Sequence, residues 1–170
     1  MILAIDVHYR ETYAKAVGVL FEWNDSKPRQ TIIEYIYDIE EYIPGEFYKR
    51  ELPCLLKIIE QVDLDSLEAI IVDGYIYVDN DFSLGLGGYL YQKLNEKVPV
   101  IGVAKTSFFT NRQTVIELLR GNSKNPLHIS SVGYPLEDAV QKILEMDGEH
   151  RNPTILKELD KVTKDDTLDK

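Results

Sequence analysis

The sequence predicts an α/β domain whose sheet is mixed, an antiparallel meander with parallel strands added and helices flanking it. Three observations predict this. Up to Ile39 the chain holds three strand-like segments joined by short polar links. From Glu51 onward, helical periodicities alternate with short β-branched runs, the signature of crossover connections. Finally, two of the strands, Ile2–Ile5 and Ile70–Val72, close on an aspartate.

The elements follow in order. Met1 to Ile5 is an apolar run of strand length ending on Asp6. Tyr13 to Trp23 is rich in Val, Phe, Tyr and Ala and reads as a second strand, and Asn24-Asp25-Ser26-Lys27-Pro28 is a turn by composition. Gln30 to Ile39 alternates, with Ile33, Tyr35 and Tyr37 on one face, and gives a third. Short links imply that these three form a meander. Glu51 to Gln61 sets Leu55, Leu56, Ile58 and Ile59 at helical spacing, with Glu51 and Pro53 near the helix start. Ala69 to Val72 is a strand, Leu84 to Leu94 a helix, Val98 to Ala104 and Leu127 to Val132 strands, and Leu136 to Met146 a helix. The later strands are expected to join the sheet in parallel. Gly85, Gly87 and Gly88 lack the Lys-Ser/Thr of a phosphate loop and read as packing residues. After Pro153 a short helix carries Ile155, Leu156 and Leu159. One domain over 1–160 is expected, followed by a charged, frayed tail over 161–170.

The chain has 170 residues and a formal net charge of -10, which argues against a basic arm holding nucleic acid by bulk electrostatics. Acidic groups do suit a divalent cation. The charge is uneven: residues 60–81 carry seven acids and no Lys or Arg, whereas 101–125 carry Lys105, Arg112, Arg120 and Lys124 against Glu117 alone. The single cysteine, Cys54, excludes an internal disulfide and reads as core. The start has no basic leader and no apolar run approaches a membrane span, so a cytoplasmic domain is expected.

If the strands ending on Asp6 and Asp73 are parallel neighbours, both carboxylates emerge at the carboxyl edge of the sheet, where open α/β sheets bind ligands. Taken singly, each reads as an ordinary turn or cap aspartate. As a pair they repel unless a proton or cation lies between them. Glu51 at a helix start could complete an oxygen site suited to Mg²⁺.

The stretch Tyr42-Ile43-Pro44-Gly45 followed by Arg50-Glu51-Leu52-Pro53 resembles the wedge loop and glutamate motif of endonuclease V, the deoxyinosine-directed DNA repair nucleases. Asp6-Val7-His8-Tyr9, Val72-Asp73-Gly74, Ile101-Gly102-Val103-Ala104-Lys105, Asn125 to Ser130 and Arg151-Asn152-Pro153 stand in the family's order. The resemblance implies a shortened, divergent member with an RNase H-like fold. It implies Mg²⁺-dependent (or Mn²⁺-dependent) cleavage 3′ to a deaminated purine in DNA or RNA. Asp6, Glu51 and Asp73 would then be the metal carboxylates, and Lys105 would neutralise the scissile phosphate or orient water. Tyr42, with Ile43, Pro44 and Gly45, would wedge into the space left by the displaced base, and Gly74 would border the base pocket.

The departures are specific. The family's Val-Asp-Gly-His-Gly and His-Pro-Arg stretch is here Val72-Asp73-Gly74-Tyr75-Ile76 through Asp81, and its late Gly-His is Gly133-Tyr134. On this reading a tyrosine replaces the histidine near the metal, and Asp79 is a candidate extra ligand. His8 follows Asp6 by two on the same strand face, which would allow it a role, although a surface or hydrogen-bonded histidine is the simpler reading, and His128 reads as a satisfied core imidazole. Most of the eleven tyrosines read as core or cross-strand pairs. Two functions stand: a metal-dependent nuclease, favoured by Asp6, Glu51, Asp73 and Lys105, and a nucleic-acid-binding or interaction protein without cleavage, favoured by the lost histidines and net acidity.

Overall fold

A computed structural model describes residues 1–39, 41, 43, 44, 46, 48–107 and 113–166. Seven strands form one sheet: β1 (Ile2–Tyr9), β2 (Ala14–Phe21), β3 (Gln30–Ile36), β4 (Ala69–Val72), β5 (Val100–Ala104), β6 (Ile116–Leu118) and β7 (Leu127–Val132), in the order β3-β2-β1-β4-β5-β7-β6. The helices are α1 (Tyr48–Ile59), α2 (Leu86–Lys93), α3 (Leu136–Glu145) and α4 (Thr154–Lys164).

The meander forms as expected, β1 pairing β2 and β2 pairing β3 antiparallel. β4 adds parallel to β1 and β5 parallel to β4. β7, however, runs antiparallel to β5, and the three-residue β6 runs antiparallel to β7. The expected parallel addition fails here because a parallel return needs a crossover element. Among the described residues between β5 and β7 there is only the β6 strand, and it meets β7 as a hairpin partner.

Alternation along the central strands divides the core into two layers. Leu3, Ile5, Ile70, Val72 and Val100 pack against Cys54, Leu55 and Ile58 of α1 and Leu86 and Leu90 of α2. Ile2, Ala4, Ile71, Ile101 and Ile129 pack against Ala139 and Ile143 of α3 and Ile155 and Leu159 of α4. Full burial of such side chains is worth about 1.5–3 kcal/mol each. Close packing of α2 requires Gly88, whose hypothetical Cβ would lie 2.6 Å from the Ile76 carbonyl oxygen. That bears out its reading as a packing residue.

Two boundaries move. α1 begins at Tyr48, so Glu51 closes its first turn and Pro53 falls inside the helix. There the proline ring supplies no N–H to the helical ladder. α4 continues to Lys164 with Thr163 buried, a turn past the boundary expected at 160. The last turn stays docked because its carbonyls are capped from the β1–β2 hairpin. Arg10 Nη2 donates to the Thr163 carbonyl (3.3 Å) and the wholly buried Lys15 Nζ to that of Asp165 (2.7 Å). Cations at a helix C-terminus also meet the negative end of its dipole.

Arg120 departs from the basic stretch in which it stands. It is 3% exposed, and its guanidinium donates to the carbonyls of Met146 (2.7 Å), Gly148 (3.1 Å) and His150 (2.5 Å). It therefore fixes the α3–α4 link rather than offering charge to a ligand. No helix among the described residues is long and apolar enough to cross a membrane.

Candidate active site

Ile5 and Val72 are direct partners across the parallel β1–β4 pair, so Asp6 and Asp73 follow side by side. Both line a cavity of ≈ 40 Å³ with Lys105 from the end of β5, and Asn152 and Asp160 from the α4 side. Ile5, Val72, Val103, Leu156 and Leu159 supply apolar walls. Asp6 shares its strand face with Ile2 and Ala4, the layer covered by α4, and this brings Asp160 over it.

The cavity is electrostatically unbalanced. Burial first, and then the charge of Asp73, push the Asp6 carboxyl up to about 6, against one stabilising hydrogen bond from the Val7 N–H (2.9 Å). Asp73 has an exposed face but is crowded by protein around the rest of its side chain. This desolvation raises its carboxyl, while Lys105 pulls it the other way. Glu51 is pushed up to about 8, by burial first and then by Asp6 and Asp73, with Arg50 opposing. Three carboxyls that resist ionisation together are a donor set of hard oxygens suited to a divalent cation.

The three do not close around one point. Among the described residues no group of three His, Cys, Asp or Glu side chains is arranged to hold a metal ion, and Glu51 does not line the cavity. Glu51 reaches the cluster from α1, on the opposite face of the sheet. The donor chemistry fits Mg²⁺ nonetheless, because that ion is commonly held by one or two carboxylates, waters and substrate phosphate.

Asp160 is the site residue that sequence reading missed. Its carboxylate lies 3.0 Å from Lys164 Nζ and 4.0 Å from Lys105 Nζ. An aspartate on the polar side of an amphipathic helix carries no local signal, and only the helix's position over β1 reveals it. Arg50 stacks over the Tyr9 ring (3.6 Å), anchoring the residue beside Glu51.

Other expectations are corrected. Tyr134 is not near the carboxylates: Val132 pairs with Val100, the first residue of β5, and Tyr134 Oη donates to Glu68 (3.3 Å) at the amino edge. Antiparallel β7 carries it to the wrong end of the sheet. Asp79 does not line the cavity, and its Oδ1 accepts from the N–H groups of Asp81 (2.9 Å) and Ser83 (3.0 Å) in a local turn. His8 does not line the cavity, and His128 is buried on β7, as expected of a core residue. Cys54 is buried, its thiol pushed up to about 11 by burial first, and is inert core. Asp63 caps a 3₁₀ turn over Leu64–Ser66, its side chain accepting from the Asp65 N–H. Ile43 and Pro44 are exposed; Tyr42 and Gly45 lie outside the described residues.

The sheet order, the two flanking layers and the acidic carboxyl edge define an RNase H-like α/β domain of the kind found in nucleases. The profile of the endonuclease V family matches residues 1–143, and the chain belongs to that family. The match ends before α4, which carries Asp160. No curated protein sequence matches. Among solved structures, endonuclease V from Ciona intestinalis, bound to a 24mer DNA containing an inosine followed by a ribo-adenosine, is similar with a TM-score of 0.80 and 16% identity over 99% of this chain and 86% of that one. Human endonuclease V gives 0.75 and 20%, covering 96% and 82%, and the Bacillus subtilis protein 0.73 and 15%, covering 95% and 77%. At these identities the likeness establishes the fold.

Proposed function

We propose that the chain is an Mg²⁺-dependent endonuclease, with Mn²⁺ as a substitute, that hydrolyses a phosphodiester 3′ to a deaminated purine in DNA or RNA. The observation that supports this best is the pairing of Asp6 and Asp73 at the ends of adjacent parallel strands, in one cavity with Lys105. Asp6 and Asp73 would hold the ion, with Glu51 adding its charge from the α1 side. When bound, Mg²⁺ supplies a Lewis acid that acidifies water and screens the phosphate. Lys105 faces the scissile phosphate, and Asp160 keeps its ammonium turned toward the cavity. The segment Tyr42-Ile43-Pro44-Gly45 wedges into the stack, and Gly74 borders the displaced base.

A second reading, binding without cleavage, is favoured by one observation. Tyr75 and Ile76, standing where the family has His-Gly, are 6% and 0% exposed, and Tyr75 Oη donates to the Thr106 carbonyl. These positions have become core. Purified protein incubated with Mg²⁺ or Mn²⁺ and inosine-containing single- and double-stranded oligonucleotides separates the two. Product that disappears in Asp73→Asn supports the nuclease; binding with no product under either metal leaves the second reading.

A further inference from the structure

Next to the cavity, and sharing Lys105 with it, runs a larger polar groove of ≈ 420 Å³ lined by Lys105, Ser107, Glu117, Asn125, His128 and Arg151. Nothing in the proposed cleavage uses it. Its position follows from the sheet order: Ala104, beside Lys105, pairs with His128 on β7, and His128 pairs with Glu117 on β6. A row of polar side chains therefore continues along the carboxyl edge from Asp6 and Asp73 through Lys105 to His128 and Glu117. From β5 to β6 is two strand spacings, about 10 Å, room for one nucleotide unit.

His128 is the unusual member. It is 6% exposed, and among the described residues no hydrogen bond or ion pair reaches its ring, although Glu117 is its direct cross-strand neighbour. The ring lines the open groove, where its nitrogens can pair with a ligand. Arg151 shapes the groove's inner end, where Nη2 donates to the carbonyls of Lys105 (2.5 Å) and Pro126 (2.8 Å). The chemistry is graded, with cations next to the cavity and a carboxylate at the far end. A phosphate fits the first and is repelled by the second. A base edge suits the far end, because a carboxylate accepts from an exocyclic amino group and an imidazole offers one donor and one acceptor.

We propose that this groove binds the nucleotide flanking the scissile linkage, with its phosphate toward Lys105 and an amino-bearing base against His128 and Glu117. The assignment rests on the reading of the adjoining cavity as a cleavage site. Its test needs neither metal nor cleavage, so the two can fail separately. In metal-free protein, cytidine 5′-monophosphate, uridine 5′-monophosphate and inorganic phosphate are titrated while the imidazole resonances of His128 are followed by NMR. Cytidine monophosphate is expected to shift them saturably and to bind about tenfold more tightly than uridine monophosphate, which lacks the amino group. Glu117→Gln, at an exposed position, is expected to erase the preference while the protein stays folded, and Asp73→Asn to retain it. Equal binding of the two nucleotides, a His128 shift reproduced by phosphate alone, or no His128 shift with any of the three would overturn the proposal.

Discussion

The buried ammonium of Lys15 on β2 donates to the Asp165 carbonyl just past α4, so the helix that carries Asp160 is tied to the strand beside the one that carries Asp6. Lys15→Met keeps much of the volume but removes the cap. A charged hydrogen bond of this kind is worth about 1.5–3 kcal/mol. Denaturant unfolding is expected to show a loss of that size, and hydrogen exchange to show the last turn of α4 opening first.

Stability without metal is expected to fall as pH rises. Asp6 and Glu51 are raised in the folded state, from 3.8 to about 6 and from 4.5 to about 8, so the folded protein holds protons that the unfolded chain has released. A raised carboxyl costs nothing below its unfolded pKa, and the penalty grows until the folded pKa is passed. Thermal unfolding between pH 4 and pH 8 should show the decline. Glu51→Gln should flatten its upper half, and a profile with no fall across that range would contradict the burial of these groups.

A divalent ion should relieve the same repulsion. Mg²⁺ at a hundred times its dissociation constant stabilises the folded state by about 2.7 kcal/mol. The wild-type melting temperature is expected to rise with Mg²⁺, and the rise to vanish in Asp6→Asn and Asp73→Asn. In cleavage assays the same two substitutions should cost at least about a hundredfold, the scale of losing one electrostatic stabiliser of a transition state. Asp160→Asn should lower the rate by less.

Gly102 sits where β5 passes under the residue after Asp73. A Cβ there would lie 2.5 Å from the Gly74 carbonyl oxygen and 2.7 Å from Ser130 Oγ. Gly102→Ala is therefore expected to destabilise the fold by about 1–3 kcal/mol, the usual cost of overpacking. It should also displace Gly74 and slow any cleavage through Asp73, which a stability measurement paired with an activity assay would detect.

Much of this site was legible before the fold was known. A β-branched run closing on aspartate is a local pattern, and two of them predicted the Asp6–Asp73 pair. Tyr134 was misplaced because motif order along a chain says nothing about strand direction, and β7 turns back on β5. β6 escaped because three residues carry no measurable alternation. Asp160 and His128 escaped for a different reason: each is ordinary in its own helix or strand. Their roles arise from neighbours more than twenty residues away in sequence, Asp6 below α4 and Ala104 beside β7.

The docking of α4 across β1 and β2 joins two segments far apart in the sequence at the acidic cavity. During synthesis the first hairpin leaves the ribosome long before Asp160 does, so Asp6 must wait, unshielded, for its neighbour on α4. Contacts of such long sequence separation form late in folding. The nascent chain is thereby kept from assembling its acidic cluster until α4 has been made.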